Sequence, residues 1–515
     1  MNYLLNDFKI KVDDKRDLKN ILKSHLKIND FEYEIYHKSI DARKKDNIYF
    51  VYKIIIKTNK KLNLKLFDKP NINLEYKKWS GLAPIIVGFG PAGIFCALYL
   101  ARCGANPIII ERGSKIEDRE NDLKIFLEKR ILNPESNVQF GEGGAGTFSD
   151  GKLVTNLNDP LIRFILNEFY IHGAKEDILY ESHPHIGTDY LAKVVKNIRE
   201  EIISLGGKFY FNHTFINAKK NDDIINIIIK NNKNDENINL NTNNLILALG
   251  HSAKDTVRYL YNDLKLDMMQ KQFSMGVRIE HLKEKIDFAQ YGKFKDILPS
   301  SYYKLATHNN GRGIYTFCMC PGGYVLASTS DEKSIVTNGM SNNKRDNVNS
   351  NSAILVDVRP DDYNISNSPL DGILYQEKYE KLAYEISKDY KAPANLVKEF
   401  LQGSVAKDVR SIKTSYPHGI IMNDLSFLPD FVIDNLRYGI KEFDKKIKGF
   451  ADDDAIIIAP ETRSSSAVRI LRDKDFESNI KGIYPVGEGA GYAGGITSSA
   501  LDGLKCAISI SNKNI

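Results

Sequence analysis

Cysteine is scarce in this chain. Cys96, Cys103, Cys318, Cys320 and Cys506 are the only five in 515 residues, and none sits in a C-x-x-C spacing. An odd, scattered set argues against a disulfide scaffold and against a structural zinc site, so no metal is expected. A long uninterrupted apolar run is also missing. The stretch of roughly membrane length, Pro84 to Ala101, carries three glycines and a proline in its middle, which argue for a buried strand and helix rather than a span. The first residues, MNYLLNDFKIKVDDKRD, lack an apolar signal core, so the cytoplasm is the expected compartment and no membrane partner is expected. Nor is there a strong net charge: the balance is +6. It is uneven, however, with 19 Lys/Arg against 11 Asp/Glu in residues 1 to 80. That excess hints at a polyanion surface. Lys, Asn and Ile are abundant throughout the chain, so solvated lysines are the preferred reading and nucleic acid is a partner not favoured. What remains is a globular protein, 42% hydrophobic, with length for two or three domains.

The organising stretch is PIIVGFGPAGIFCALYLARCGANPIIIERG, Pro84 to Gly113. An apolar strand meets Gly88-Phe89-Gly90-Pro91-Ala92-Gly93, a helix runs to about Arg102, and a second strand (Ile108 to Ile110) ends at Glu111 and Arg112. In a dinucleotide-binding unit Gly88 permits the tight turn, Gly90 admits a pyrophosphate to the backbone, and Gly93 lets helix and strand pack closely. The helix start offers unpaired N–H groups and a positive dipole end. Glu111 stands at the offset of the acid that accepts ribose hydroxyls, and its charge repels a 2′-phosphate, which argues against NADP.

Around this unit the chain reads as follows. Residues 3 to 12, 31 to 39 and 47 to 58 are predicted strands and Asp17 to Leu26 a helix, with a charged connector from Ser39 to Lys45 and a polar linker from Phe67 to Ser80. After a helix at Ser114 to Ile131 comes QFGEGGAGTFSDGK, Gln139 to Lys152. Its letters Gly141 to Gly146 match G-x-G-x-x-G, but no strand precedes them, so they are read as backbone, Gly144 and Gly146 above all, passing close to a flat ring. HPHIGTD, containing His185, precedes a helix (Tyr190 to Leu205) with Thr188 or Asp189 placed to cap it. Strands are predicted at 208 to 212 and 224 to 230. NLILALG closes on Gly250, and His251 at its carboxyl end is either a turn residue or a catalytic one. From Phe273 the alternation predicts a β-rich region, with strands at 273 to 281, 313 to 320, 322 to 329 and 352 to 358 and helices at about 371 to 389 and 430 to 447. Cys318 and Cys320, two apart in a strand, would face one side with Cα atoms about 6.6 Å apart, at the edge of disulfide reach; two reduced thiols are preferred to a redox pair. Arg463 would either grip a substrate carboxylate or pair with Glu461 or another acid.

GIYPVGEGAGYAGGITSSALDGLKCA, Gly482 to Ala507, repeats strand, glycine turn and helix. Two such corners so far apart suit one long ligand, and FAD fits better than NAD. Gly250, Gly487 and Glu488 would line its middle. Gly494, Gly495 and Ile496 would aim helix N–H groups at the pyrimidine edge of the isoalloxazine.

The order of motifs resembles the FAD unit of glutathione reductase-like and hydroxybenzoate hydroxylase-like flavoproteins. More closely, it resembles the bacterial and plastid FAD-dependent dehydrogenases known as NAD(P)/FAD-dependent oxidoreductases. The matching segments include SIDARKKDNIYFVY, VGFGPAGIFCALYLA, FGEGGAGTFSDGKL, LALGHSAKDT, FSMGVRIEH, YTFCMCPGG, ETRSSSAVRI and YPVGEGAGYAGGITSSALDG. Lys254 and Ser350 depart from it, standing where arginine and alanine are expected. The resemblance implies an α/β fold: a Rossmann-like FAD-binding domain with an inserted β-rich α+β substrate domain and a small N-terminal α+β domain. The expected boundaries are 1–78, 79–255, 256–480 and 481–515, the last returning to the FAD domain. It implies a flavoprotein oxidoreductase and leaves substrate and oligomeric state open; a small-molecule substrate is expected beside the second domain, where NAD(P)H could bind transiently as electron donor. Catalytic candidates are His185, His251, Cys318, Cys320 and Arg463. The alternatives are a flavin-containing RNA- or partner-binding protein and a flavin-dependent RNA-modifying enzyme.

Overall fold

A computed structural model describes residues 1–70 and 72–513; Asn71, within the predicted polar linker, lies outside them. The chain begins with β1 (Asn2–Lys11), α1 (Leu18–Leu26), β2 (Glu32–Asp41), β3 (Tyr49–Lys57) and the short β4 (Lys65–Leu66), an antiparallel sheet in the order β2-β3-β1-β4. Asp17 starts α1 by accepting from the Lys19 and Asn20 N–H groups, and Leu22 packs onto Leu5, Ile54 and Ile56. The predicted connector is shorter than its charge suggested, because Ser39, Ile40 and Asp41 continue β2 opposite Val51, Phe50 and Tyr49. The outer edge of β2 is not free. Lys38 N–H donates to Tyr180 O at 2.7 Å, Ser182 N–H donates to Lys38 O at 2.8 Å, and the Lys38 ammonium pairs with Glu181 at 2.7 Å. On its other side the unit packs Ile48 against Tyr291, Phe294 and Leu298.

The glycine motif forms β5 (Ile85–Val87), α2 (Pro91–Arg102) and β6 (Ile108–Glu111). α2 is buried from Ala92 to Ala101, so its apolar residues go all round rather than along one stripe. α3 (Ile116–Lys129), α4 (Leu161–Ile171) and α5 (Thr188–Ser204) lead to β7 (Lys208–Phe211). Neither predicted residue caps α5: Gly187 occupies the cap position, Thr188 Oγ1 donates to Thr147 O and Asp189 accepts from Asn343 N–H. A three-stranded antiparallel sheet follows, β8 (His213–Asn221), β9 (Ile224–Asn231) and β10 (Asn237–Thr242), then β11 (Leu245–Leu247) and α6 (Lys254–Asn262).

The inserted region comprises β12 (Met268–Gln270), β13 (Phe273–Leu282), α7 (Lys283–Tyr291), β14 (Ala306–Asn309), β15 (Arg312–Cys320), β16 (Tyr324–Ala327), β17 (Thr337–Met340), β18 (Asn349–Val358), α8 (Pro360–Tyr363), α9 (Asp371–Ser387), β19 (Ala392–Leu396), α10 (Val397–Gln402), β20 (Ile420–Met422), α11 (Asp430–Lys446), β21 (Ile456–Glu461) and β22 (Val468–Ile470). Its main sheet runs β14-β15-β18-β13-β21-β19-β20. β13 and β18 sit at its centre and are buried almost throughout. Ser350, on β18, accepts from Gly322 N–H at 3.0 Å, a bond an alanine cannot make.

The chain then returns as β23 (Ile483–Pro485) and α12 (Ile496–Lys513). β23 joins a wholly parallel sheet, β23-β11-β5-β6-β7, placing both glycine corners at the carboxyl ends of strands in one sheet. The fold is therefore a Rossmann-like unit with a β-rich insertion and a small α+β unit ahead of it. Among the described residues no helix is long and apolar enough to cross a membrane.

Candidate functional site

The three motif glycines do different work. Gly88 has φ +99°, and a β-carbon there would strike the Ala248 carbonyl; one at Gly93 would strike the Gly88 carbonyl. These two set the turn and the helix–strand packing. Gly90 is different: its nearest obstacle would be Gly144 Cα at 3.8 Å, so it borders open space. Glu111 is buried. Its Oε2 accepts from Phe89 N–H at 2.9 Å, and its Oε1 from Gly113 at 3.0 Å and Gly141 at 2.9 Å. The predicted ribose acceptor thus also ties the motif turn to the glycine run, with lone-pair capacity left on Oε2. Arg112 lies over the Phe140 ring at 4.5 Å and pairs with Asp255 and Glu135.

The glycine run lies between the two corners. Gly143 N–H donates to Phe89 O at 2.8 Å. A β-carbon on Gly144 would come within 3.1 Å of Gly90 Cα, and one on Gly146 within 3.3 Å of the Ile496 side chain and 3.7 Å of Pro91. Arg119, fully buried, fixes this path by donating to the carbonyls of Asn137, Val138, Glu142 and Gly144. Glu142 accepts from Ile116 N–H and from Arg199, both at 2.8 Å; burial nevertheless pushes its carboxyl up to about 7. As the sequence indicated, the run forms no strand-turn-helix unit, only a short 3₁₀ turn.

At the second corner Gly494 and Gly495 are exposed at the start of α12, and Thr497 Oγ1 donates to Leu153 O at 2.8 Å. Gly487 gives its N–H to Asp502 at 2.7 Å and packs against Ala92, whose Cβ would lie 2.8 Å from a β-carbon there. Glu488 pairs with His251, Oε1 to Nδ1 at 3.0 Å, while His251 Nε2 is buried without a hydrogen-bond partner. Gly250, at φ +71°, gives that loop its turn.

Beside α12 the chain assembles a polar cluster that no motif announced. Residues 150–153 pair with 184–187, bringing Lys152 opposite His185. Asp150 is buried and accepts from Ser341 Oγ, and from Arg345 Nε at 3.0 Å and Nη2 at 2.5 Å. Burial alone would raise its carboxyl, but Lys152 and Arg345 outweigh that and hold it at about 2. The Lys152 ammonium donates to Met319 O, stands 3.9 Å from Asp150 and faces the Tyr302 ring at 5.4 Å. His185 Nε2 meets Asn343 O at 3.0 Å; burial, and then the charge of Arg345, lower its pKa. His183 and Tyr302 bring their rings to 5.0 Å at the rim.

Three sequence-based candidates change character. Cys318 and Cys320 are free thiols and do not share a strand face, because Cys318 has φ +45° and the β15–β18 register slips between Phe317 and Cys320. Cys318 stays half-buried by the cluster. Cys320 is enclosed, its thiol pushed up to about 12 by burial and hydrogen-bonded to Cys318 O at 3.2 Å. Arg463 is no substrate clamp. Its five N–H donors meet Glu380 Oε1 (2.9 Å), Glu380 Oε2 (2.7 Å), Asp331 (2.5 Å), Ser330 (2.6 Å) and Ser252 (3.1 Å). Lys254 bonds the same Glu380 and Asp331, each at 2.9 Å, and Glu461 pairs instead with Arg278. Among the residues missed, Lys152 and Asp150 sit in the Ser-Asp-Gly-Lys run, which hinted at a loop after the glycines; Tyr302 and Arg345 carry no local signal.

A family model described as "FAD-dependent protein, C-terminal domain-like" matches residues 272–464, and one for a domain of unknown function matches residues 4–57. An uncharacterized protein of Clostridium beijerinckii is 44% identical over 498 residues, covering 93% of this chain and 92% of that protein. Among solved structures, CtdE in complex with FAD is similar at TM-score 0.34 and 11% identity, over 84% of each chain. The glycerol-3-phosphate dehydrogenase from Bacillus halodurans, complexed with FAD, is similar at TM-score 0.38 and 11% identity, over 84% of this chain and 64% of that one.

Proposed function

This chain belongs to the family of that Clostridium beijerinckii protein, and we propose that it is an FAD-dependent oxidoreductase passing two electrons between a small-molecule substrate and bound FAD. The observation that carries the reading is the meeting of both glycine corners, with the glycine run between them, at the carboxyl end of one parallel sheet. The residues there fit the cofactor. Gly90 leaves its side open for a pyrophosphate at the α2 N-terminus, Glu111 keeps acceptor capacity for ribose, and the exposed start of α12 offers backbone donors and a positive dipole end. FAD, when bound, supplies the redox chemistry; the chain holds it, excludes water and presents Lys152, Tyr302, His185 and Cys318 on the substrate side. NAD(P)H enters as a transient donor on that side.

Part of the basic charge of the N-terminal unit, on which a polyanion-binding reading would rest, is engaged within the protein. Lys9, Arg16, Lys38, Arg43, Lys57 and Lys69 are each in an ion pair, which leaves less free charge for phosphates. The test is the purified full-length protein. It should retain FAD, bleach anaerobically with NADH, NADPH or dithionite, and recover its visible spectrum with an electron acceptor. A chain that binds no added FAD, or whose flavin is inert to every reductant while RNA binding is steeply salt-dependent, would overturn the proposal.

A further inference from the structure

The cluster beside α12 has an imbalance of charge. Lys152 and Arg345 bring two cations, and among the described residues Asp150 is the one carboxylate within ion-pair distance of them. Arg278 also reaches the Cys318 carbonyl, at 3.2 Å, but it is cancelled by its bidentate partner Glu461. His185 and His183 add no further cation, since burial holds both below their ordinary value. The donors are unevenly used as well. Both Asp150 oxygens are turned to Arg345, leaving Arg345 Nη1 without a protein acceptor among the described residues. The Lys152 ammonium has three donors and, among the described residues, one hydrogen-bond acceptor, Met319 O. A buried excess cation is costly unless something answers it. These two side chains keep 18% and 12% exposure, so the answer can come from outside. The N-terminus of α12, tied to this loop through Thr497 and Leu153, adds positive potential.

We propose that this cluster is the substrate's anion site: a carboxylate or phosphate group of the substrate docks between Lys152 Nζ and Arg345 Nη1, with His183 and Tyr302 as its rim. This rests on the oxidoreductase reading and names the substrate class for it. The group neutralises the extra cation and satisfies charge-assisted donors with no other use. Cys318 is the internal competitor, because a thiolate there would supply the same negative charge.

The test is calorimetric titration of the full-length protein, as purified with its flavin, using acetate in one arm and inorganic phosphate in the other, at constant ionic strength. One arm is expected to saturate at one site per chain, acetate indicating a carboxylate substrate and phosphate a phosphorylated one. Lys152→Gln and Arg345→Gln should each weaken binding by roughly tenfold or more; Lys152→Arg, which keeps the charge, should retain it, and Cys318→Ser should not be needed for it. Absence of saturable binding in both arms overturns the inference, as do glutamine variants that titrate like the parent, or a site that opens only when Cys318 is replaced. Flavin content, measured on the same samples, separates the two claims. Retained FAD without anion binding overturns the anion site alone, and anion binding in a chain that takes up no FAD overturns the oxidoreductase reading alone. Thermal midpoints of the variants without anion identify any that merely fail to fold, and for those Lys152→Arg against Arg345→Lys is the comparison that decides.

Discussion

Ala92 and Gly503 touch where α2 crosses α12: a β-carbon at Gly503 would run into the Ala92 carbonyl oxygen. This contact lets the two helix starts stand side by side although 400 residues of chain separate them. Gly503→Ala should therefore lose about 1–3 kcal/mol through overpacking, more than the helix-propensity gain of about 1 kcal/mol, and should retain less FAD. Gly494→Ala, with no atom within 4 Å of its new methyl, should stay within about 0.5 kcal/mol of the parent. Urea unfolding and flavin absorbance measure both, and a Gly503→Ala chain as stable as the parent would remove this contact as the brace.

Gly90 and Gly93 separate cofactor approach from folding. Gly90 has φ −80° and room for a methyl group, so Gly90→Ala should fold normally yet bind FAD roughly tenfold more weakly, a loss of about 1.4 kcal/mol. Gly93→Ala meets the Gly88 carbonyl and should lose stability and flavin together. Unaltered FAD affinity in Gly90→Ala would mean the pyrophosphate does not pass there.

Arg463 is predicted to matter for stability and not for substrate affinity. Replacing it by alanine leaves Glu380, enclosed and also bonded by Lys254 and Thr462, with one cation in place of two. Breaking a buried pair of this kind costs about 3–5 kcal/mol. The measurement is the denaturant midpoint of Arg463→Ala against the parent; equal midpoints would show that the network is not a clamp.

His281 gives the fold an acid sensitivity. The ring is buried, its Nε2 donates to Phe450 O at 2.7 Å and its Nδ1 has no partner among the described residues. Burial lowers its pKa to about 4. Unfolded, the ring takes up a proton near pH 6.5; folded, it refuses one until about pH 4. Its contribution is therefore intact above about pH 6.5 and is lost progressively down to about pH 4, at about 1.4 kcal/mol per unit. His281→Gln should lose about 2 kcal/mol less than the parent between pH 7 and pH 5. Parallel stability profiles for the two proteins would refute this.

The first corner was legible in the sequence because three glycines, a proline and an acid at fixed offsets admit one local geometry, and β5, α2 and β6 follow it. β8 and β10 were not, since their Lys- and Asn-rich faces hide the alternation. The period-two argument for Cys318 and Cys320 failed because a bulge interrupts the strand, and bulges leave no spacing to read. For Arg463 the sequence offered Glu461 at two residues' distance; the partner that binds it, Glu380, lies 83 residues away and is set only by tertiary packing. Lys152, Tyr302 and Arg345 converge from three separate loops, so their meeting belongs to topology alone.

The backbone bonds from Lys38 to Tyr180 and Ser182 have a cost for any shortened form of the protein. Without its first seventy residues the chain would bare donors and acceptors at 180–182, just before His183, together with the apolar faces of Tyr291 and Phe294. Such a raw margin recruits another strand, so the trimmed protein should self-associate, and the leading unit acts as a plug against clumping as much as a neighbour of the Lys152 cluster.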